Sequence, residues 1–234
     1  MPARLGVDEK AVRQGHHYES LVVDLDAGTV EAVVDDRTQA SLEAYYRQFA
    51  PEELATIEAI AMAMWEPSIL ATPACVPDAG TKLVFDRSHA TRYVTEAVAK
   101  GRRHEHQALQ AQDDLRLKGT KHLWLGNEEN IPEWRRAEFE TVKHAELKTS
   151  RAWAIKESLR GFWDYVYPKR AANYFKAWYF WATHSRRAPM IAAAQTLKRH
   201  LPNLLQAPDH QRDRRGDQQQ DPDAQAHGLR LPQP

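Results

Sequence analysis

Apolar and polar residues alternate over short stretches in the first third of the chain, a pattern that predicts β-strands. Leu5 to Asp8 is a short apolar run that ends on a carboxylate, and Ser20 to Leu25 is a stronger strand candidate. Ala27 to Thr29 predicts a turn into a further strand, VEAVV. We therefore expect three antiparallel strands at the start of the fold.

A helix and two more strands are predicted in the next part of the chain. Thr38 is a suitable N-cap for the segment SLEAYYRQF, whose apolar residues recur at helical spacing. Pro51 predicts a short turn, after which IEAIAMAM forms an apolar run. Three prolines interrupt the following stretch, and Lys82 to Asp86 (KLVFD) then predicts a buried strand.

From Ala90 onward the pattern predicts helices and no strand. The expected helical segments are 90–116, 133–147, 150–164, 168–184 and 188–201. Pro132 suits the first turn of the second of these helices. From about Gln206 apolar residues almost disappear, and QRDRRGDQQQDPDAQ is low in complexity, which predicts a disordered tail.

Composition narrows the class of protein. The 234 residues are 42% hydrophobic and include 32 basic and 32 acidic side chains, so a sizeable core is available and an overall polybasic nucleic-acid-binding protein is excluded. The single cysteine, Cys75, excludes an intramolecular disulfide framework and a Cys-rich zinc site. No apolar run approaches the roughly 20 residues of a membrane span. Because MPARLGVDEK also lacks the apolar stretch of a signal peptide, we expect a cytoplasmic protein with no membrane partner.

The order of the predicted elements indicates the fold. Three strands in a meander, followed by alternating helix and strand and then by a helical block, is the order of RNase H-like proteins. We therefore expect an α/β fold, with an RNase H-like mixed sheet core over residues 1–89, an all-helical insertion over residues 90–204 and a disordered tail over residues 205–234. In that fold, carboxylates at the ends of strands one and four and on a late helix hold two divalent metal ions.

Several separated motifs carry a resemblance to a known family. In chain order they are GVDEKAVRQGHHYES, the DLD turn, IEAIAMAMWEP, FDRSH and LKGTKHLWL. This order resembles the catalytic domain of bacterial insertion-sequence DDE transposases of the ISL-three type, from Leu5 to about Pro202. The resemblance implies DNA cleavage and strand transfer at transposon ends, with Mg²⁺ ions held by two Asp and one Glu. Asp8 matches the first of these three carboxylates.

The second carboxylate is missing. In the family the fourth strand ends with an Asp just before Met-Trp, whereas this chain reads AMAMWEP and has Ala63 there. Alanine offers no ligand atom, and the neighbouring methionines do not suit a hard ion. Asp86 in FDRSH is the nearest substitute as a catalytic metal ligand. An equally good interpretation is that Asp86 and His89 hydrogen-bond to each other and only shape the site.

The third carboxylate is absent as well. The resemblance implies a late helix with the pattern H-R-I-T-N-A-x-x-E-x-I-N-S-K-I, and no such string occurs. Codons compatible with Asp209 to Asp213, read one base later, encode Ile-Thr-Asn-Ala, and those of Arg215 and Gly216 supply a Glu at the family's spacing. Our hypothesis is that a frameshift between His200 and Leu204 replaced the catalytic helix with an out-of-frame tail, Gln206 to Pro234.

Two further polar groups have simpler explanations than catalysis. Glu157 is the remaining candidate for a third carboxylate, but its helix has apolar residues at packing spacing, which favours a solvated or salt-bridged residue. His104, Glu105 and His106 suggest a zinc site, yet residues two apart do not share a helix face. For this cluster we expect a solvated helix.

Basic pairs recur through the helical block and, with tryptophans between them, predict contacts to DNA phosphates. The candidate DNA-binding residues are Arg102, Arg103, Lys169, Arg170, Arg186 and Arg187. The alternative is that these charges lie on solvated helix faces and that the interleaved tryptophans belong to the core. The tryptophans concerned are Trp153, Trp163, Trp178 and Trp181.

The function expected from these residues is that of a transposase remnant with little or no activity, because Asp8 and Asp86 remain whereas Ala63 and the lost helix remove the rest. The alternative is a non-enzymatic fragment that binds DNA, self-associates or pairs with full-length transposase. A third interpretation is an active nuclease that uses Asp8, Asp86 and Glu157. The N-terminal zinc-binding and helix-turn-helix segment of full-length relatives is not present, so specific recognition of transposon ends is not expected. Loss of the late helix also leaves one sheet face uncovered, which predicts aggregation.

Overall fold

The computed structural model describes residues 1–13, 17–85 and 87–206, and within them the chain forms five strands and eleven α-helices. The strands are β1 (Arg4–Arg13), β2 (His17–Asp24), β3 (Thr29–Asp35), β4 (Ala59–Met62) and β5 (Leu83–Phe85). They form one mixed sheet in the order β3-β2-β1-β4-β5. The predicted disordered tail lies outside the described residues, except for Leu205 and Gln206.

Strand β1 joins the antiparallel and parallel halves of the sheet. It pairs with β2 in the antiparallel sense, and β2 pairs with β3 in the same way, so the three predicted antiparallel strands are confirmed. On its other side β1 pairs in parallel with β4, which pairs in parallel with β5. The strand β1 is longer than the apolar run Leu5 to Asp8, because its pairing with β2 continues through Glu9 and Ala11.

Four short helices accompany this sheet. They are α1 (Gln39–Tyr46), α2 (Pro51–Ala55), α3 (Glu66–Cys75) and α4 (Ala79–Lys82). The predicted N-cap of α1 is confirmed, because the backbone N–H of Ser41 donates to Thr38 Oγ1 at 3.3 Å. The predicted turn at Pro51 is wrong, because this proline opens α2 at a position where a backbone N–H has no partner within the helix.

The stretch after β4 forms the helix α3, and the prolines at positions 67 and 73 do not interrupt it. Pro67 lies in its first turn, where the missing N–H costs nothing. Pro73 lies close to the end of α3, so it removes a hydrogen bond only from the last turn. The positions of the prolines within the helix, and not their number, therefore decide the structure of this segment.

The two faces of the sheet differ in their burial. The centre of one face is buried, with residues that are at most 2% exposed. These are Leu5, Val7, Val22, Ile60 and Met62. The hydrogen bond from Ser68 Oγ to Glu9 Oε1, 3.0 Å long, shows that α3 packs on this side of β1.

The opposite face, which we call the open face, is formed by Leu21, Val23, Leu25, Val30 and Val33 next to Asp8. The strand register places these side chains together, since Asp8 pairs with Leu21 and Leu21 pairs with Val33. Val30 is 57% exposed and Val33 56% exposed. The uncovered sheet face predicted from the sequence is therefore present at its β2–β3 side.

The remaining helices follow β5, and from Ala90 onward the described residues contain no strand. They are α5 (Arg87–Gln110), α6 (Lys121–Leu125), α7 (Glu133–Lys143), α8 (Lys148–Leu159), α9 (Pro168–Thr183), α10 (Ala188–Arg199) and α11 (Leu201–Leu205). Short 3₁₀ turns at Glu128–Asn130 and Arg160–Asp164 separate some of them. The five predicted helical segments are confirmed, with ends shifted by up to six residues, whereas α6 and α11 were not predicted.

The chain divides into two compact units. The first contains residues 1–90 together with the segment that begins at His200, and the second contains residues 91–199. In the first unit α11 packs on β5, where Asn203 Nδ2 donates to the backbone oxygen of Leu83 at 3.0 Å. No helix in the described ranges is long and apolar enough to cross a membrane.

The second unit has an aromatic core. Trp124, Trp153 and Trp178 are at most 3% exposed, and the Trp124 and Trp153 rings contact each other at 6.5 Å between centroids. The indole N–H of Trp178 donates to the backbone oxygen of Ile155 at 2.9 Å, so its polar atom is satisfied. Trp153 and Trp178 therefore belong to the core and are not available to contact DNA.

Candidate catalytic site in the middle of the first strand

Asp8 lies on β1 next to the open face, and its side chain is 65% exposed. One carboxylate oxygen, Oδ1, accepts a hydrogen bond of 2.9 Å from the backbone N–H of Glu9. The same oxygen lies 3.9 Å from Nε2 of His89, which belongs to the first turn of α5. The exposed carboxylate is thus held beside an imidazole and is free to accept further contacts from solvent or an ion.

His89 is less exposed than Asp8, at 24% of its side chain. Asp86, three residues earlier, lies outside the described residues. The predicted hydrogen bond between Asp86 and His89, and the predicted metal-ligand role of Asp86, therefore stay predictions. What the structure adds is that Asp8 has His89 as its neighbour.

Ala63 directly follows β4, and the register places it beside Asp8. Val7 on β1 pairs with Met62 on β4 in the parallel sense, and Asp8 and Ala63 are the next residues of the two chains. Neighbouring strands lie about 4.8 Å apart, so a side chain at position 63 projects next to that of Asp8. Ala63 is 8% exposed, and its methyl group has no atom that binds a metal ion.

Glu9 is a polar residue of this strand that the sequence analysis did not single out. Its side chain points to the buried face, as alternation along a strand requires for the residue after Asp8. Burial raises the pKa of the Glu9 carboxyl, although the hydrogen bond from Ser68 acts in the opposite direction. The Asp-Glu pair in GVDEK, located on a strand, was the signal that two carboxylates would lie on opposite faces.

Glu157 is engaged by cations in the second unit. Its Oε1 lies 2.6 Å from Lys156 Nζ, and its Oε2 lies 3.1 Å from Arg160 Nη1. The expectation of a salt-bridged residue is confirmed, and each carboxylate oxygen is already paired with a cation. Across the described ranges no group of three or more His, Cys, Asp or Glu side chains could hold a metal ion.

Glu105 is not part of a solvated helix face, so that expectation was wrong for this residue. It is only 9% exposed and caps the start of α8. Its Oε1 accepts from the Lys148 N–H at 2.7 Å, and its Oε2 accepts from the N–H and the hydroxyl of Thr149 at 2.6 and 2.7 Å. A carboxylate distant in sequence satisfies backbone donors that the first turn of a helix leaves free.

The six candidate DNA-binding residues differ in exposure. Arg103, Lys169, Arg170 and Arg186 are exposed. Arg102 is only 9% exposed, and burial lowers the pKa of its guanidinium. Arg187 is half-buried, and its Nε has no hydrogen-bond partner. The first four present their charge to solvent, whereas Arg102 does not.

Fold and site together define an α/β protein with an exposed carboxylate where the antiparallel and parallel halves of a five-stranded sheet meet. The family model described as "Transposase", of the ISL-three type of DDE transposases, matches residues 5–214. The chain belongs to this family of insertion-sequence transposases.

Individual relatives agree with this assignment. The chain is 26% identical over 204 residues to the transposase for insertion sequence element IS1001 of Bordetella parapertussis, covering 86% of this chain and 50% of the relative. It is 25% identical over 232 residues to the transposase for insertion sequence element IS1557 of Mycobacterium tuberculosis, covering 88% and 51%. The chain thus spans about half the length of these relatives. No solved structure gives a significant match.

Proposed function

We propose that this protein is a transposase derivative whose catalytic site is incomplete, so that it has little or no DNA cleavage and strand-transfer activity. The observation that carries the proposal is the position of Ala63 beside Asp8, where two adjacent carboxylates are needed to hold a divalent ion. One carboxylate alone binds Mg²⁺ weakly, because this ion keeps its water ligands unless several charged oxygens replace them.

The proposed core is RNase H-like. Support comes from the order of elements along the chain, three antiparallel strands followed by two parallel ones, which is the order that the sequence predicts. In space these strands lie in the order β3-β2-β1-β4-β5. It is also supported by the location of Asp8 at the centre of that sheet. The domain boundaries near residues 89 and 204 belong to the same proposal.

We propose that the ancestral enzyme used Mg²⁺ as its cofactor. When bound, this ion would activate the attacking oxygen and stabilise the leaving oxygen. Among the described residues the donor set at Asp8 is one carboxylate and the His89 imidazole, which does not fit a hard ion that prefers several oxygens. Asp86 is the residue that we propose as a remaining ligand beside Asp8, and the site then still lacks the carboxylate expected at position 63 and the late Glu. Glu157 has no part in it, because both of its oxygens are paired with cations.

A plasmid-nicking assay with Mg²⁺ or Mn²⁺ tests the proposal. We expect no metal-dependent nicking by the natural protein, and none by an Asp8→Ala variant. A Glu52→Ala variant, which removes an exposed carboxylate from α2, serves as the matched control. Nicking that is lost in Asp8→Ala and retained in Glu52→Ala would mean that a working metal site exists without a carboxylate at position 63.

The second candidate function is a non-enzymatic fragment that binds DNA or pairs with itself or with full-length transposase. Exposed cations on α9 favour the DNA-binding form, and the open face favours the pairing form. Affinity for DNA in the presence of a metal chelator, falling steeply with salt, would support the former.

The proposed frameshift concerns residues outside the described range. The family match ends at residue 214, inside the tail. Because the hypothesis concerns the reading frame, the sequence of the coding DNA tests it directly. We expect the frame shifted by one base to encode Ile-Thr-Asn-Ala followed by a Glu-bearing helix. A shifted frame that contains a stop codon or lacks this Glu contradicts the frameshift and leaves the argument from Ala63 unchanged.

A further inference from the structure

Helix α9 has a polar and aromatic stripe on its outer face. The stripe is formed by Lys169, Asn173, Lys176, Phe180 and the residue that caps the helix, His184. Their spacing of four, three, four and four residues puts them on one side of an α-helix. All five are exposed, whereas the other side of α9 carries the buried Phe175 and Trp178. We call these five residues the α9 stripe.

The positive charge of the α9 stripe is not neutralised. The helix sequence PKRAANYFKAWYFWAT contains no acidic residue. Within the described ranges, none of Lys169, Arg170 and Lys176 forms a salt bridge. Several arginines elsewhere in the second unit are paired by contrast: Arg135 with Glu138, Arg136 with Glu133, and Arg160 with Glu129 and Glu157. In a protein of zero net charge, this local excess is available for an anion.

Exposed aromatic rings lie among these cations. Phe180 is 57% exposed, and its ring stacks on that of His184 with 3.9 Å between centroids and 27° between planes. Tyr167, just before α9, is 63% exposed, and the Arg170 guanidinium lies 5.8 Å from its ring centre. Flat rings beside unpaired cations are the combination that binds bases and phosphates of a single strand.

We propose that the α9 stripe binds single-stranded DNA. Lys169, Lys176 and the adjoining Arg170 contact phosphates, while unpaired bases stack on Phe180. From Lys169 to Phe180 the stripe is about 17 Å long at 1.5 Å per residue. A duplex would use only the cations, because its bases are already stacked on each other and leave Phe180 exposed. This inference rests on the proposed function, since it names the form of DNA that a transposase derivative would bind.

Fluorescence anisotropy with a labelled single strand, and with the duplex of the same sequence, tests the proposal in the presence of EDTA. We expect tighter binding to the single strand. Phe180→Ala should weaken that binding about 5- to 100-fold and leave duplex binding unchanged, the range expected for one lost stacking contact. For single-strand binding, the logarithm of the association constant falls linearly with the logarithm of the salt concentration. The double variant Lys169→Gln/Lys176→Gln should make this slope less steep by about 0.7 for each lost phosphate contact.

Two further variants separate stacking from other effects. Phe180→Leu keeps an apolar side chain without a flat ring and should lose affinity as Phe180→Ala does. Trp134→Ala removes an aromatic residue that is 82% exposed on α7, outside the stripe, and should change nothing. An effect of Trp134→Ala equal to that of Phe180→Ala would overturn the assignment, as would full affinity in Phe180→Leu or preference for the duplex.

A single-stranded RNA of the same sequence provides the last arm of the test. Binding to RNA more than tenfold tighter than to DNA would overturn the choice of DNA. Because EDTA removes divalent ions, the result does not depend on the site at Asp8. Failure of the α9 stripe to bind DNA and failure of the incomplete-site proposal are therefore seen in separate experiments.

Discussion

Ala63 is the residue on which the chemistry at the centre of the sheet depends most. It lies beside Asp8 in the parallel pair β1–β4, so one substitution should provide a second carboxylate oxygen donor at the correct place. An ion can reach this place from solvent, because the Asp8 side chain is 65% exposed.

We predict that Ala63→Asp creates or strengthens a divalent-ion site. Two carboxylates about one strand spacing apart repel each other, and a bound ion removes that repulsion. Titration with Mn²⁺ followed by electron paramagnetic resonance should show at least tenfold tighter binding than in the natural protein. Ala63→Asn, of similar shape without the charge, should not gain affinity, and neither should Ala63→Asp combined with Asp8→Asn. Equal Mn²⁺ binding by the natural protein and Ala63→Asp would contradict the prediction.

Lys156 is a buried cation whose contribution to stability depends on the groups around it. Its side chain is 2% exposed, and Nζ donates to Gly126 O and to Glu157 Oε1, both at 2.6 Å. Burial lowers the pKa of the Lys156 ammonium, whereas Glu157 raises it. Removal of one partner of a buried ion pair leaves the other charge uncompensated.

We predict that Glu157→Gln lowers the free energy of unfolding by about 2–4 kcal/mol, because it leaves the buried Lys156 ammonium without an anion. Lys156→Met should change it by less than about 1 kcal/mol, because Glu157 keeps its ion pair with Arg160. A lysine whose folded pKa lies below its unfolded pKa releases its proton first in the folded state. Stability of Glu157→Gln should therefore rise with pH between the folded pKa and the unfolded value near 10.5. Urea unfolding at several pH values measures this, and a loss that stays constant up to pH 10 would exclude Lys156 as its cause.

At the scale of elements, α8 depends on a cap that comes from α5. The carboxylate of Glu105 accepts three hydrogen bonds at the start of α8, from Lys148 and Thr149. A negative charge at this end of a helix also interacts favourably with the helix dipole. The contact links two helices that are separated by more than 30 residues of chain, so it contributes to the tertiary structure of the second unit.

We predict that Glu105→Gln destabilises the protein by about 1–3 kcal/mol, because the amide NH₂ would face the backbone N–H groups of α8 as a second donor. His104→Ala, at an exposed position on the same helix, should change stability by less than about 0.5 kcal/mol. Urea unfolding monitored by circular dichroism at 222 nm measures both. Similar stabilities of the two variants would show that the cap contributes little.

At the scale of the whole molecule, the open face exposes apolar side chains to water. Leu25, Val30 and Val33 are between 41% and 57% exposed, and β3 is the edge strand of the sheet. Exposed apolar side chains on an edge strand promote pairing with another chain. The open face is therefore the surface through which we expect the aggregation predicted from the sequence.

We predict that the natural protein self-associates at micromolar concentrations and that Val30→Thr/Val33→Thr stays monomeric. Threonine is also β-branched, so the strand is retained while the apolar surface decreases. Leu115→Thr, which alters a leucine that is 52% exposed in the second unit, is the control and should associate like the natural protein. Sedimentation velocity over a concentration series distinguishes these outcomes. Equal association of the double variant would place the contact elsewhere.

The sequence alone determined the elements and much of their order. Alternation over Ser20 to Leu25 and helical spacing after Thr38 are local properties, because each depends on side chains a few residues apart. The missing carboxylate at Ala63 was likewise visible from the resemblance, since a substitution within a motif requires no structure. Pro51 and Pro73 misled the prediction, because proline is tolerated at the ends of helices as well as in loops.

Only the tertiary structure decided which residues meet. The register of β1 with β4 placed Ala63 beside Asp8, and the fold of α5 against α8 turned Glu105 from a solvent-facing residue into a helix cap. The same arrangement buried Arg102, and within the described part of the chain it left Lys169 and Lys176 without acidic partners. These outcomes depend on contacts between segments far apart in the chain, and neither residue type nor local spacing contains that information.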